Sequence, residues 1–140
     1  MSTEENKAII RRLVEEFWNE GNADVMDEVF AADFVNHNPA PGSVPNREGT
    51  KQTNIAIRAA FSDSHTTIDD LIAEGDKVVW RWTFRGTHQG PLMGIPATGK
   101  QITFTGIVVD RMAGGRIVER WAQNDDLGMM QQLGVIPATA

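Results

Sequence analysis

The spacing of apolar residues changes once along this chain, at His65, and that change restricts what the chain can fold into. Before His65, apolar side chains recur every three or four positions; after it they alternate with polar ones. Ile9, Ile10, Leu13, Val14 and Phe17 mark an amphipathic helix over residues 3–20. Ser2 with Glu5 three residues on is a capping-box pair at its start, and Gly21 supplies the stop. A shorter helix is predicted from about Asp24 to Phe30 and a third from about Glu48 to Phe61, with Ile55 and Ala59 facing inward. Between them DFVNHNPAPGSVPN (33–46) carries three prolines and reads as irregular.

The second half reads as strands. Thr66, Ile68, Asp70 and Ile72 alternate with Thr67, Asp69, Leu71 and Ala73, the EGDK segment turns the chain, and KVVWRWTFRGTH follows with the same period. QITFTGIVVDRM and RIVERWAQN, joined by an AGG turn, complete a four-stranded antiparallel run. Helices first and strands second predict the α+β class, in one domain spanning 1–140. A sheet of such long strands with helices on one face must curl, which leaves an apolar pocket between sheet and helices, with Trp80 and Trp82 lining it or packing beneath it.

Composition removes several function classes. The 140 residues include no cysteine, so no disulfide, thiolate nucleophile or Cys-ligated metal is available. A formal net charge of −6 argues against nucleic acid as a partner and in favour of a small, neutral or hydrophobic ligand. The start of the chain has no basic segment followed by an apolar run, and no stretch is long and apolar enough to span a bilayer, so no membrane partner is expected and a cytoplasmic location is the simplest expectation. The glycines of RGTHQGPLMGIPATG match neither a P-loop nor a dinucleotide fingerprint, and nothing in the sequence asks for a cofactor.

The closing stretch WAQNDDLGMMQQLG, residues 121–134, holds the candidate chemistry. By the two-residue period Trp121, Gln123 and Asp125 share one face of a strand. If that is the pocket face, Asp125 ends the strand beside an indole. Partial desolvation would then raise its pKa and fit it to accept a proton from a carbon acid. Asp126, opening the helical pattern, reads as the N-cap. The alternative is that both acids only cap and solubilise a helix start. His37, between Asn36 and Asn38, can reach a pocket mouth or satisfy loop backbone. The histidines at 37, 65 and 88 lack the spacing of a zinc site, so no metal is expected.

DFVNHNP, GTHQGPLMGIPATGKQITFTG and DDLGMMQQLG together resemble the SnoaL-like polyketide cyclase (ester cyclase) family of the NTF2-like superfamily, over nearly the whole chain. The resemblance implies a cone: a curved antiparallel β-sheet wrapped around three α-helices, a deep apolar pocket, a homodimer or higher homo-oligomer and no cofactor. It also implies that the first Asp of D-x-x-G-x-x-x-Q-L-G, here Asp125, abstracts a proton α to a carbonyl, and that the enolate closes a ring by intramolecular aldol attack. It places Asn36 in an orienting role; His37 and Gln123 are further candidates for that role, and Trp80, Trp82, Trp121 and His88 for the pocket wall. Family members carry polar side chains, a histidine among them, on the strand that here reads TFTGIVVDR, where this chain offers Gly106, Val108 and Asp110. Ketosteroid isomerases and limonene-type epoxide hydrolases of the same superfamily use a tyrosine, and this chain has none; Arg81 is the arginine the second reading would need. A non-catalytic binding module for a small hydrophobic ligand is the rival from a different class.

Overall fold

The structure is a computed structural model and describes residues 2–137. Ser2 and Glu5 close the expected capping box, the Ser2 hydroxyl accepting the Glu5 N–H at 3.1 Å while Glu5 accepts the Ser2 N–H at 3.2 Å. Helix α1, Thr3–Arg12, then widens into a π-helical segment, Leu13–Asn19. Leu13, Val14 and Phe17 stay buried through that change. Gly21 ends the run in the left-handed region, its N–H donating to Phe17 O at 2.8 Å, and the Arg58 guanidinium lies against its α-carbon while donating to the Trp18 carbonyl.

Helix α2, Asp24–Val29, leads straight into strand β1, Phe30–Asn36, so part of the segment that reads as irregular is a strand. Its burial runs in an i, i+1, i+4 order, Phe30, Ala31 and Phe34, because the pairing to its neighbour is irregular between Phe30 and Val35; the two-residue signature is lost with it. Helix α3, Arg47–Ala60, is capped by Asn46, which accepts the Gly49 N–H at 2.9 Å. Its inward face is more polar than expected: Thr50 and Asn54 are buried, Ile55 is half-buried and Ala59 is exposed.

Strands β2, His65–Glu74; β3, Lys77–Thr87; β4, Gln101–Ala113; and β5, Arg116–Asn124 follow, and helix α4, Asp126–Leu133, closes the chain. The sheet has five strands in the order β1-β5-β4-β3-β2, antiparallel except for the β1–β5 pair, which is parallel. Val78 and Trp80 of β3, Val108 and Met112 of β4 and Ile117 of β5 face the helices and merge with Ile10, Leu13, Phe17 and Met26 into one core. A second cluster joins Phe61, Phe84, Ile102 and Phe104 to Met129 and Leu133 of α4.

Two carboxamides complete the sheet where backbone runs out. Asn19 meets the Thr66 N–H at 2.8 Å and the Thr66 carbonyl at 3.1 Å, as a neighbouring strand would. Gln132 does the same at Thr103, accepting its N–H at 2.7 Å and donating to its carbonyl at 2.8 Å. Each one satisfies a donor and an acceptor that an edge leaves open.

Candidate functional site at the junction of β5 and α4

The aspartate pair stands where β5 ends. The Asp125 N–H still donates to Thr105 O of β4 at 2.9 Å, so the chain leaves the sheet only after this residue. The cap is Asp125 and not Asp126: its Oδ1 accepts the Gly128 N–H at 3.0 Å. The carboxylate folds so closely over residue 128 that a β-carbon there would stand 2.7 Å from the carboxyl carbon, and any larger residue would displace it. The remaining motif residues place the helix: Gln132 docks on β4, Leu133 enters the core, and Gly134 at φ 83° ends the helix. Much of the signal in D-x-x-G-x-x-x-Q-L-G is thus the docking of α4. Both residues are exposed as a whole, although the Asp126 carboxyl is partly turned away from solvent. Burial, and then the negative charge of Asp125, hold the Asp126 carboxyl above its ordinary value. The two acids exchange the structural roles expected of them, since Asp125 binds the helix amide and Asp126 bears the desolvation.

The strand face shared with Asp125 is the outer one. Trp121 and Gln123 pair with Val109 and Ile107 on the side away from the helices, so neither lines the space between sheet and helices. His37 lies on that outer face too. It stacks on Trp121 with ring centroids 4.7 Å apart, and its Nε2 lies 2.8 Å from Glu119 Oε2. Arg111 holds the other Glu119 oxygen at 2.6 Å. These two partners, His37 first, keep Glu119 below the usual carboxylate range.

Asn36 is engaged within the protein through both carboxamide atoms, donating to Thr50 Oγ1 at 3.1 Å and accepting the Asn38 N–H at 3.0 Å. His88 is fully buried beneath the loop that follows β3, tilted against Phe61. Its Nδ1 accepts the Thr98 N–H at 3.2 Å, which leaves the proton on Nε2. Among the described residues the three histidines do not converge, and no group of three His, Asp or Glu is placed to hold a metal.

Trp80 and Trp82 do face the helices. Trp80 is buried and packed, so it fills the interior rather than lining a hollow. Its indole N–H donates at 3.0 Å to Asp110 Oδ2. Arg120 completes this buried group, reaching Oδ1 through Nε at 2.7 Å and Oδ2 at 2.9 Å, with its guanidinium over the rings of Phe30 and Trp80. Arg81 points outward to Asp69 and Asp70, which removes it as the interior arginine of an epoxide-hydrolase arrangement. The interior pair falls to Asp110 and Arg120, opposite one another on β4 and β5; Asp110 was readable on that strand, but its partner could be found only from the register. An open groove of about 640 Å³ runs between the first helix and β2, where charged and polar side chains such as Arg11, Glu15 and Asp69 mix with Val14, Ile68 and Leu71; it lies open to solvent and is not the enclosed apolar pocket expected.

A five-stranded curved sheet over helices, with an acidic pair at the last strand–helix junction, defines a small α+β protein of the NTF2-like kind. The chain belongs to the SnoaL-like polyketide cyclase family, whose model matches residues 8–133. It is 30% identical over 133 residues to aklanonic acid methyl ester cyclase DnrD of Streptomyces peucetius, spanning 90% of this chain and 88% of that one. It is 29% identical to aklanonic acid methyl ester cyclase DauD of Streptomyces sp. strain C5, over 90% and 80% of the two chains. Among solved structures, TsrD from Streptomyces laurentii superposes with a TM-score of 0.87 at 28% identity, covering 97% of this chain and 99% of that one.

Proposed function

We propose that this protein is a cofactor-free cyclase that closes a ring by intramolecular aldol addition, with Asp125 as the base. The observation that carries the proposal is the fixing of Asp125 at the end of β5. One carboxylate oxygen is held by the Gly128 amide, and the other is left for a proton. A carboxylate so held loses little freedom on meeting a substrate, which favours proton transfer in a defined direction. Asp125 takes a proton from a methylene flanked by carbonyls, the resulting enolate carbon attacks a second carbonyl of the same molecule, and the new alkoxide takes the proton back from Asp125. Asp126, whose affinity for a proton is raised, is a second acceptor beside it.

The relatives named as aklanonic acid methyl ester cyclases support an aromatic polyketide methyl ester as substrate class. Asn36, with both carboxamide atoms engaged, is assigned to shaping the end of β1, and His37 to the outer face. The rival reading, a binding module without turnover, draws on the capping bond of Asp125, which gives that carboxylate a structural task independent of any chemistry. The experiment is turnover of aklanonic acid methyl ester by wild type, Asp125→Asn and Asp126→Asn, followed by liquid chromatography. Conversion by wild type and by Asp126→Asn, with none by Asp125→Asn, is the expected result. Binding by all three with conversion by none would establish the binding module instead.

A further inference from the structure

The inward stripe of α1 begins with a polar residue. Ile10 and, beyond it, Leu13, Val14 and Phe17 enter the core, and Asn6, one turn before Ile10, is buried with them at 3% exposure. Its Oδ1 is sealed from solvent and has no hydrogen-bond partner among the described residues. An unpaired buried amide destabilises a fold, and a leucine at this position would simply continue the stripe. The asparagine therefore calls for a partner at this end of the molecule.

Asn6 borders a cavity of about 260 Å³ where two hairpins turn: Gly75 and Asp76 between β2 and β3, and Ala113, Gly114 and Gly115 between β4 and β5, form its other walls. The Met112 N–H ties the turns together by donating to the Asp76 carbonyl at 2.6 Å. The three glycines take φ values of 58°, 58° and 78°, and among the described residues their peptide groups make no backbone hydrogen bond within the protein. Asp76 brings the one formal charge of the wall. Lys77 and Arg116 stand next to the turns, but each precedes a residue that faces the helices, Val78 and Ile117, and so points to the other face of the sheet. From Thr105, which accepts the Asp125 N–H, to Ala113, β4 rises about 26 Å, so the cavity is separate from the β5–α4 junction.

We propose that this cavity is a calcium site that ties the two hairpin turns to the first helix. Its oxygen donors are of the kinds calcium takes: one carboxylate, one carboxamide and peptide carbonyls, with water completing a shell of about six to eight ligands. A half-turn of the Asn6 carboxamide exchanges its oxygen and nitrogen without changing its volume and presents Oδ1 to the ion. No histidine lines the cavity, which disfavours zinc. Each water takes about 30 Å³ in the liquid, so the space holds an ion with several waters. Glycine turns adjust to a large, irregularly coordinated ion, whereas magnesium demands a near-ideal octahedron. With a single charged ligand, the dissociation constant falls on the order of 10⁻³ M. The site takes no part in the chemistry assigned to Asp125 and stands whether or not that residue is a base.

The test is a titration of ¹⁵N-labelled protein, stripped of metal with EDTA and dialysed, with CaCl₂, followed by proton–nitrogen correlation spectra. In wild type the amide signals of Gly75, Gly114 and Gly115 and the Asn6 side-chain NH₂ should shift saturably with a midpoint of about 1 mM, and MgCl₂ or NaCl at matched ionic strength should give no saturation. Calcium at about ten times that midpoint should raise Tm by about 3–6 °C. Asp76→Asn, at an exposed position, should fold as wild type does and bind at least about tenfold more weakly, having lost the only charge of the site. Asn6→Leu should melt higher than wild type without calcium, because the unpaired amide is gone, and gain nothing from calcium. Asn6→Asp should melt lower without calcium and bind it more tightly, since a second carboxylate joins the site. Shifts in wild type that never saturate, saturation by magnesium as readily as by calcium, or equal titrations of wild type and Asp76→Asn would overturn the site.

Discussion

The buried group of Trp80, Asp110 and Arg120 gives the sharpest test of how the interior is held together. Asp110 is 0% exposed and Arg120 7%, and three donors converge on two carboxylate oxygens at 2.7, 2.9 and 3.0 Å. In Asp110→Asn one accepting oxygen becomes an NH₂ group facing the guanidinium or the indole N–H. A buried cation is then left without its counter-charge, and donor meets donor. Removing one partner of such a pair costs about 3–5 kcal/mol, whereas replacing both by apolar groups of similar volume is often neutral. With a domain of this size losing about 2–4 °C per kcal/mol, the expected fall in Tm is roughly 6–20 °C.

The assay is urea unfolding followed by circular dichroism, backed by thermal melts, for wild type, Asp110→Asn, Arg120→Met and Asp110→Leu/Arg120→Met. Both single variants should move the midpoint strongly without changing the slope. The double variant should recover most of the loss, because no orphaned charge remains. A loss below about 1 kcal/mol in Asp110→Asn would refute the argument, showing that water or rearrangement supplies the missing partner. So would a double variant as unstable as the sum of the singles.

The cap and the base are separable at Asp125: Asn retains an oxygen for the Gly128 amide, so Asp125→Asn should keep its Tm while losing turnover, whereas Asp125→Ala should lose turnover and also about 1 kcal/mol of stability in denaturant melts. Gly128→Ala should resemble Asp125→Ala, because its methyl group takes the space of the carboxylate. Glu119 is held below its ordinary value by His37 and Arg111; its stabilising effect is complete above about pH 4.5 and is lost as the pH falls through its lowered folded value. Glu119→Gln should therefore flatten the stability curve below about pH 4.5 in melts taken across the acid range. On the outer face Ile72, Val79, Val109 and Trp121 form one apolar row across four strands, with Ile72 62% and Trp121 36% exposed. That row is expected to pair two copies about a twofold axis, and Trp121→Glu should convert the dimer to monomer in sedimentation velocity.

The parts of the fold that sequence reveals are those where local chemistry and tertiary packing agree. The capping box at Ser2, the stop at Gly21 and the alternation in β3 and β4 each satisfy a local rule and the core together. Strand β1 was hidden because its parallel pairing is irregular and buries residues off the two-residue period. The outward direction of Trp121 was hidden for another reason: periodicity groups residues onto a face without saying which face meets the helices. On β5 the inward face mixes Ile117 and Ala122 with Arg120 and Asn124, so it does not read as a core face, and the burial of Arg120 depends on Asp110 one strand away. An arginine is stable there only because the register puts a carboxylate opposite it, and register is a property of the assembled sheet. The same dependence applies to the candidate chemistry. Asp125 stands out in a one-dimensional reading, but the direction of its carboxylate follows from Gly128, whose missing β-carbon lets it fold over the start of α4. A substitution at Gly128 should therefore move the Asp125 carboxylate without changing any acid or base, by taking the space into which it folds.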